Sequence, residues 1–320
     1  MLVIWAIDAI REPGSLMEHS ASILESWAQR TTLQIEPVFV LSPSQVDLSM
    51  GQSFQEIAQK ALDQIVDRHS ANRPALLRSL LPAQVITERR SRVRAAAEAL
   101  EKYAKARGAA FVALPTHGRR GPARLILGSF AETLLLRSQV PTLTIGPEIH
   151  EIRGLERVLF STDFGSGSKQ VFRQVVNFAS QLKSKVWLYH AVPNLMEPIF
   201  QSGAYLFSGA WIPARNYFER EVQECERHGK AWSRWAENCG VECEFVLDET
   251  MGNIPEHLLA LIARERIGLL ALASRSGPVA SALLGSITRQ VVRGASCPVW
   301  VLQPSVGSAA TQEKPRALAG

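Results

Sequence analysis

Short apolar runs alternate with longer amphipathic segments along most of the chain, which is the pattern of parallel β-strands joined by helical crossovers. In the first half the apolar runs predict strands at Leu2–Asp8, Gln34–Leu41, Gln84–Thr87, Ala110–Thr116 and Thr142–Ile145. The segments between them predict helices at Ser15–Gln29, Phe54–Arg68, Arg92–Arg107 and Ser129–Arg137.

The second half repeats this alternation of apolar runs and amphipathic segments. It predicts strands at Arg157–Asp163, Lys185–Ala191, Glu242–Leu247, Gly268–Ser274 and Val299–Leu302. The corresponding helices are Ser168–Leu182, Tyr217–Asn238, Pro255–Glu265 and Ser286–Arg293. The sequence therefore predicts an α/β protein of two tandem doubly wound domains, each a five-stranded parallel sheet flanked by helices.

The two halves are copies of one unit. Gly128, Pro141 and Pro147 each recur 157 positions later, and the strand that ends at Asp8 corresponds to the strand that ends at Asp163. We therefore place the two domains at residues 1–148 and 155–304. Residues 305–320, rich in small and polar residues, have too little apolar surface to fold alone, and we expect a disordered tail.

Composition narrows the possible partners and locations. The 35 Lys and Arg residues are dispersed among 30 Asp and Glu residues, so no nucleic-acid partner is predicted. The apolar run Leu2–Ile7 has no basic residues before it and is ended by Asp8, so neither a signal peptide nor a membrane span is predicted. We expect a cytoplasmic protein with no membrane partner.

The four cysteines do not have the spacing of a zinc site or a dense disulfide framework. Cys239 and Cys243, with His228 upstream, lack an obvious fourth ligand. We therefore favour reduced structural thiols and predict no metal bound by them.

The loop between the predicted fourth strand and the helix from Ser129 has the features of an anion-binding loop. Glycine permits positive φ and lets a phosphate approach without a Cβ in the way, and a helix N-terminus offers free N–H groups to an anion. On these residues alone, a purely structural strand-to-helix turn is an equally good interpretation.

The same loop, Pro115-x2-Gly118-x9-Gly128-Ser129, resembles the G-x2-G-x9-G-[S/T] loop of nucleotide-binding members of the universal stress protein family. The strand "RVLFSTD" and the closing segments "VPTLTIGP" and "CPVWVLQP" are also similar to that family. The resemblance covers residues 1–147 and 155–304. It implies a tandem universal stress protein whose domains have the adenine-nucleotide alpha-hydrolase-like, or HUP-like, fold.

The resemblance also implies a nucleotide site in the first unit. ATP or AMP would bind there, with Mg²⁺ as a candidate companion of the phosphates. Asp8 would lie near the adenine or ribose, although a strand-end Asp can instead cap the following turn. The residues expected at this site are Asp8, Val40, Pro115, Thr116, Gly118, Arg119, Gly128, Ser129 and Phe130.

Two departures from the family pattern change what we expect. Pro115 replaces the first glycine, which removes an N–H and can crowd the sugar or first phosphate. In the second unit the matching loop is Ala273-x2-Ser276-x8-Gly285-Ser286, one residue shorter and with two glycines lost. We therefore expect this second site, with Asp163 beside it, to be degenerate and to bind nucleotide poorly or not at all.

Three functions remain open at this point. The first is a stress-response sensor or regulator that binds an adenine nucleotide in the first unit. The second is a nucleotide-independent scaffold for unknown protein partners, since the resemblance implies that the two units pair through their last strands; a further homodimer stays open. The third, an enzyme, is disfavoured beyond a weak ATPase because the chain lacks the HxGH and SGGxDS signatures of catalytic relatives.

One segment stands apart from the repeat. The connection 193–218 contains several aromatic residues where a short loop is expected. We favour packing against the other unit over a lid or a partner surface, because many exposed aromatic residues would promote aggregation.

Overall fold

The computed structural model describes residues 1–10, 14–42, 52–116, 127–165, 167–192, 211–250, 252–273 and 286–304. The predicted tail and the part of the aromatic connection at 193–210 lie outside these residues. No helix in the described part of the chain is both long enough and apolar enough to cross a bilayer.

The first unit contains five strands and five helices among its described residues. In chain order they are β1 (Leu2–Ala6), α1 (Ser15–Ala28), β2 (Gln34–Leu41), α2 (Gln52–Ser70), α3 (Pro74–Ser79), β3 (Gln84–Thr87), α4 (Val93–Ala106), β4 (Phe111–Pro115), α5 (Ser129–Arg137) and β5 (Thr142–Ile145). The short helix α3 was not predicted. It begins at Pro74, whose fixed φ suits the first turn of a helix.

The second unit repeats this order with one helix fewer among its described residues. Its elements are β6 (Arg157–Ser161), α6 (Ser168–Leu182), β7 (Lys185–Ala191), α7 (Trp211–Asn238), β8 (Cys243–Asp248), α8 (Ile254–Arg264), β9 (Leu269–Ala273), α9 (Ser286–Gly294) and β10 (Val299–Leu302). The prediction that α7 begins at Tyr217 was wrong, because it begins at Trp211 and takes in the end of the aromatic connection. Pro213 falls within the first turn, where its missing N–H is not needed.

The ten strands form one continuous sheet in the order β3-β2-β1-β4-β5-β10-β9-β6-β7-β8. Within each unit all neighbouring strands are parallel, which confirms the predicted doubly wound domains. The last strands of the units, β5 and β10, pair antiparallel with Leu143 opposite Trp300. The expected pairing through the last strands therefore occurs within the chain.

Alternating residues of the strands supply the cores on the two faces of the sheet. In β1, Val3 and Trp5 belong to one core and Ile4 belongs to the other. At the junction of the units, Phe111 of β4 packs on Trp300 of β10 with 6.1 Å between ring centroids. The two units therefore share a core.

The order of strands determines where a ligand is expected. In the first unit the chain runs from β1 outward to β3 and then returns to add β4 on the other side of β1. The crossovers after β1 and β4 therefore diverge at the carboxyl ends of these two strands, and in open α/β sheets ligands bind at this position.

Candidate functional site

A cavity lies at this reversal point of the first unit. It has a volume of about 80 Å³, below the roughly 300–1,000 Å³ typical of a whole ligand pocket. The cavity alone is therefore smaller than a whole ligand pocket. Its lining consists of Ala6, Ile7, Asp8, Val38, Phe39, Val40, Leu100, Leu114, Pro115 and Phe130.

Four of the residues expected at the nucleotide site meet around this cavity. Asp8 follows β1, Val40 is in β2, Pro115 ends β4 and Phe130 is in the first turn of α5. Oδ1 of Asp8 also accepts a hydrogen bond from the Ile10 N–H at 3.1 Å. Asp8 therefore caps the following turn while it lines the cavity.

Thr116 is buried and directly follows β4, but it does not line the cavity. Its hydroxyl donates to the Ile145 carbonyl at 3.2 Å, and its N–H bonds the same oxygen at 2.9 Å. Thr116 thus anchors the end of β4 to β5.

Gly128 and Ser129 lie where the sequence placed them, at the beginning of α5. Gly128 is the N-cap residue with φ −58°, so it does not use the positive φ that glycine permits. No side chain caps the helix through a hydrogen bond. The exposed Ser129 is the first helical residue, and its carbonyl accepts from the Thr133 hydroxyl at 2.7 Å. Gly118 and Arg119 lie outside the described residues.

Pro115 changes the hydrogen bonding between β1 and β4. The pairing of these strands ends at Trp5 opposite Ala113. In a parallel ladder the next bond would run from the N–H of residue 115 to the Ala6 carbonyl, and proline has no N–H. In the second unit Ala273 stands at this position, and the pairing continues one residue further, to Ser161 opposite Leu272.

Sequence reasoning missed several residues that line the cavity. Val38 lies on the same face of β2 as Val40, so the two-residue period of a strand would have identified it. Leu100 comes from α4, and nothing in its local sequence indicates that it reaches this site. Only the packing of α4 against the sheet brings it there.

In the second unit the residue equivalent to Asp8 is Asp163, and it has different hydrogen-bond partners. Oδ1 of Asp163 accepts from the Gly165 N–H at 2.9 Å and from the Ser168 hydroxyl at 2.8 Å. Asp163 therefore stabilises the turn that leads into α6 and bonds the side chain of the first helical residue. Ala273 ends β9 and Ser286 begins α9, whereas Ser276 and Gly285 lie outside the described residues.

A tyrosine occupies the position in the second unit that Val38 has in the first. Strand pairing makes the two residues equivalent, because Ala6 lies opposite Val38 and Ser161 lies opposite Tyr189. Tyr189 is buried, and its hydroxyl donates to Oδ2 of Asp248 at 2.6 Å. The large side chain therefore fills space on the face where the first unit has its cavity.

Asp248 is the centre of a polar cluster at the end of β8. Its Oδ2 lies 3.1 Å from Nδ1 of His257, and the Thr250 N–H donates to its Oδ1 at 3.0 Å. Burial opposes ionisation of Asp248, but hydrogen bonds from Thr250 and Tyr189 outweigh burial and lower its pKa. Burial and the bond to Asp248 raise the pKa of Tyr189.

Among the residues that the structure describes, no three or more His, Cys, Asp or Glu side chains cluster as they would around a metal ion. Sγ of Cys225 lies 3.3 Å from Nε2 of His190, and Sγ of Cys243 lies 3.6 Å from the Ser233 hydroxyl. All four cysteines are free thiols.

The sequence model of the universal stress protein family matches residues 3–146 and, a second time, residues 154–303. The chain belongs to the universal stress protein family. No curated protein is significantly similar to it. The two family matches make this chain a tandem universal stress protein.

Two solved structures share the tandem fold of this universal stress protein. One is a universal stress protein from Archaeoglobus fulgidus DSM 4304, with 17% identity, a TM-score of 0.62, and 95% of this chain and 97% of that chain covered. The other is a protein of unknown function from Pseudomonas aeruginosa PAO1, with 13% identity, a TM-score of 0.54, and 95% and 92% covered. At these identities the likeness concerns the fold alone.

Proposed function

We propose that the first unit of this universal stress protein binds an adenine nucleotide, ATP or AMP, with the base in the described cavity. The observation that carries the proposal is the position of the cavity. It lies at the carboxyl ends of β1, β2 and β4, where the strand order reverses, and α5 begins beside it.

The lining suits a flat, largely apolar base. Val38 and Val40 come from β2 and Phe130 comes from α5, so apolar groups of different elements line the same space. Asp8 adds a polar group at the end of β1, within reach of a base edge or a ribose. Ligand sites commonly combine such apolar walls with a few polar groups.

The beginning of α5 suits a phosphate. Its first N–H groups have no helical partner, and no side chain at Gly128 caps them through a hydrogen bond. Glu132 in the first turn is unfavourable for an anion, but it pairs with Arg289 of α9 at 2.8 Å. Gly118 and Arg119 are proposed as further phosphate contacts on their sequence positions, and Mg²⁺ would accompany the phosphates.

We propose that the protein acts in the cytoplasm as a stress-response sensor or regulator, and that it signals its nucleotide-bound state to protein partners. The second candidate is a scaffold that does not use nucleotide. The continuous sheet favours it, because pairing of the two units needs no ligand. Tyr189 favours it too, since it fills the equivalent space in the second unit.

The test introduces the tyrosine of the second unit at the equivalent position of the first unit. Freshly purified protein is denatured and the released small molecules are identified by mass spectrometry; ATP and AMP are then titrated calorimetrically into wild type and Val38→Tyr. We expect saturable binding in wild type and a loss of about tenfold or more in Val38→Tyr, because the tyrosine occupies the space of the base.

The matched control is Tyr189→Phe, which changes the equivalent residue of the second unit and leaves the cavity untouched. It should bind nucleotide as wild type does. Absence of binding at millimolar nucleotide, or equal binding by wild type and a folded Val38→Tyr, would contradict the proposal and favour the scaffold.

A further inference from the structure

The last turn of α9, in the second unit, lies at the edge of the first unit's sheet where ligands are expected. A Cβ placed on Gly146, which directly follows β5, would lie 3.4 Å from the Val292 carbonyl oxygen and 3.8 Å from Oγ1 of Thr116. Val292 is in α9, whereas Gly146 and Thr116 follow the carboxyl ends of β5 and β4. The second unit therefore reaches the end of the sheet at which the first unit has its cavity.

The direction of the two helices brings Arg293, the residue after Val292, towards the beginning of α5. The helices α5 and α9 each lead into the last strand of their unit, and these strands are antiparallel, so the helices also run in opposite directions. Glu132 and Arg289 are in contact at 2.8 Å. One turn further along α9, Arg293 therefore comes opposite the N-cap of α5, which is one turn before Glu132.

Arg293 is a cation for which the described residues provide no partner. Its side chain is half-buried, it forms no hydrogen bond or ion pair with them, and its Nε is buried without an acceptor. Arg289, four residues earlier on the same face of α9, is already paired with Glu132. Because a buried guanidinium N–H without an acceptor is unfavourable, an anion that accepts from Arg293 gains affinity from the bond.

The first copy of the unit lacks this cation. The residue 157 positions before Arg293 is Leu136, which packs against the core. A symmetric dimer of first units would therefore place a leucine where the tandem chain has an arginine.

We propose, on the basis of nucleotide binding in the first unit, that Arg293 of the second unit binds the distal phosphates of that nucleotide. The cavity is lined from β1, β2 and β4, and the sheet continues from β4 through β5 to the second unit. A nucleotide whose base occupies the cavity and whose phosphates extend towards the second unit reaches Arg293 with the phosphates furthest from the base. AMP lacks these phosphates, so Arg293 favours ATP over AMP.

Calorimetric titrations of ATP and AMP into the full chain test this inference. Arg293→Leu introduces the residue of the first copy. It should weaken ATP binding about tenfold or more, because a charge-assisted hydrogen bond is lost, and should change AMP binding less than about twofold. Arg293→Gln also removes the charge, and it replaces Arg293→Leu if that variant does not fold.

The matched control is Arg264→Leu. It removes the same charge from the last turn of another helix of the second unit, α8, where the side chain is largely exposed. This variant should bind ATP and AMP as wild type does.

The outcomes separate this inference from the proposed function. An equal loss of ATP and AMP affinity in the Arg293 variants would show that Arg293 supports the fold of the site and does not contact the distal phosphates. That result, or wild-type ATP affinity in a folded Arg293 variant, would overturn the inference and leave nucleotide binding standing. Failure of wild type to bind either nucleotide would overturn both.

Discussion

Glu132 and Arg289 occupy the same position in the two repeats and form a salt bridge between α5 and α9, with 2.8 Å between Oε1 and Nη2. In a symmetric dimer of identical units, one position carries the same residue twice, so like charges would meet there. A tandem chain lets the two copies diverge. This salt bridge is therefore possible only because both units lie in one chain, where their sequences can differ.

Reversing one charge of this pair should destabilise the protein. Both side chains are about one-third exposed, so we expect Glu132→Arg or Arg289→Glu to lower the free energy of unfolding by about 1 kcal/mol. The double exchange Glu132→Arg with Arg289→Glu should restore most of the loss. Urea unfolding in a double-mutant cycle measures this coupling, and additive single effects would contradict it.

The aromatic contact between the units should contribute more to stability than the salt bridge. Trp300 is buried and packs against Phe178 and Phe111. Trp300→Ala should therefore lower the free energy of unfolding by about 3–5 kcal/mol. Trp235→Ala, a half-buried site within the second unit, is the control and should cost clearly less; equal losses would argue against a shared core.

The Asp248 cluster should make the free energy of unfolding depend on pH in the acidic range. A carboxyl with a lowered pKa in the folded state stabilises the protein above its unfolded pKa of 3.8, and this contribution disappears as the pH falls through the folded pKa. The stability difference between wild type and Asp248→Asn should therefore be constant down to about pH 5 and shrink below about pH 4. Urea midpoints across this range measure it, and parallel curves would refute the assignment.

Tyr189→Phe tests the same cluster without changing the shape of the core. It removes the hydroxyl that donates to Asp248 at 2.6 Å. We expect a loss of about 1–3 kcal/mol, because a partly buried carboxylate loses a donor. The pH at which the Asp248 contribution disappears should also move upward, and an unchanged pH profile would show that Thr250 and His257 suffice.

The four cysteines should differ in reactivity. Cys239 is exposed, whereas Cys225, Cys243 and Cys297 are buried. Burial raises the pKa of Cys243 to about 11 and that of Cys297 to about 12, so few of these thiols are ionised at pH 8. A thiol reagent should label one site quickly in native protein, and Cys239→Ser should abolish this phase; fast labelling that persists would place it at another cysteine.

Much of the candidate site was predictable because its signals are local. A strand that ends near Asp8, a strand that ends near Pro115 and the helix start at Ser129 each depend on neighbouring residues, and the structure places Asp8, Pro115 and Phe130 around one cavity. Leu100 was not predictable in this way. It reaches the cavity only through the packing of a helix whose sequence shows a generic amphipathic pattern.

The sequence by itself determined that the chain is duplicated, that each copy is a doubly wound α/β unit, and that the second glycine loop has diverged from the first. These properties follow from periodicity and spacing, which act over a few residues. Only the tertiary structure decided the register in which β5 and β10 pair, that Tyr189 stands where Val38 lines a cavity, and that Pro115 ends a ladder beside Ala6. Each of these depends on which distant residues lie opposite one another, and strand register is set by the packing of the whole sheet.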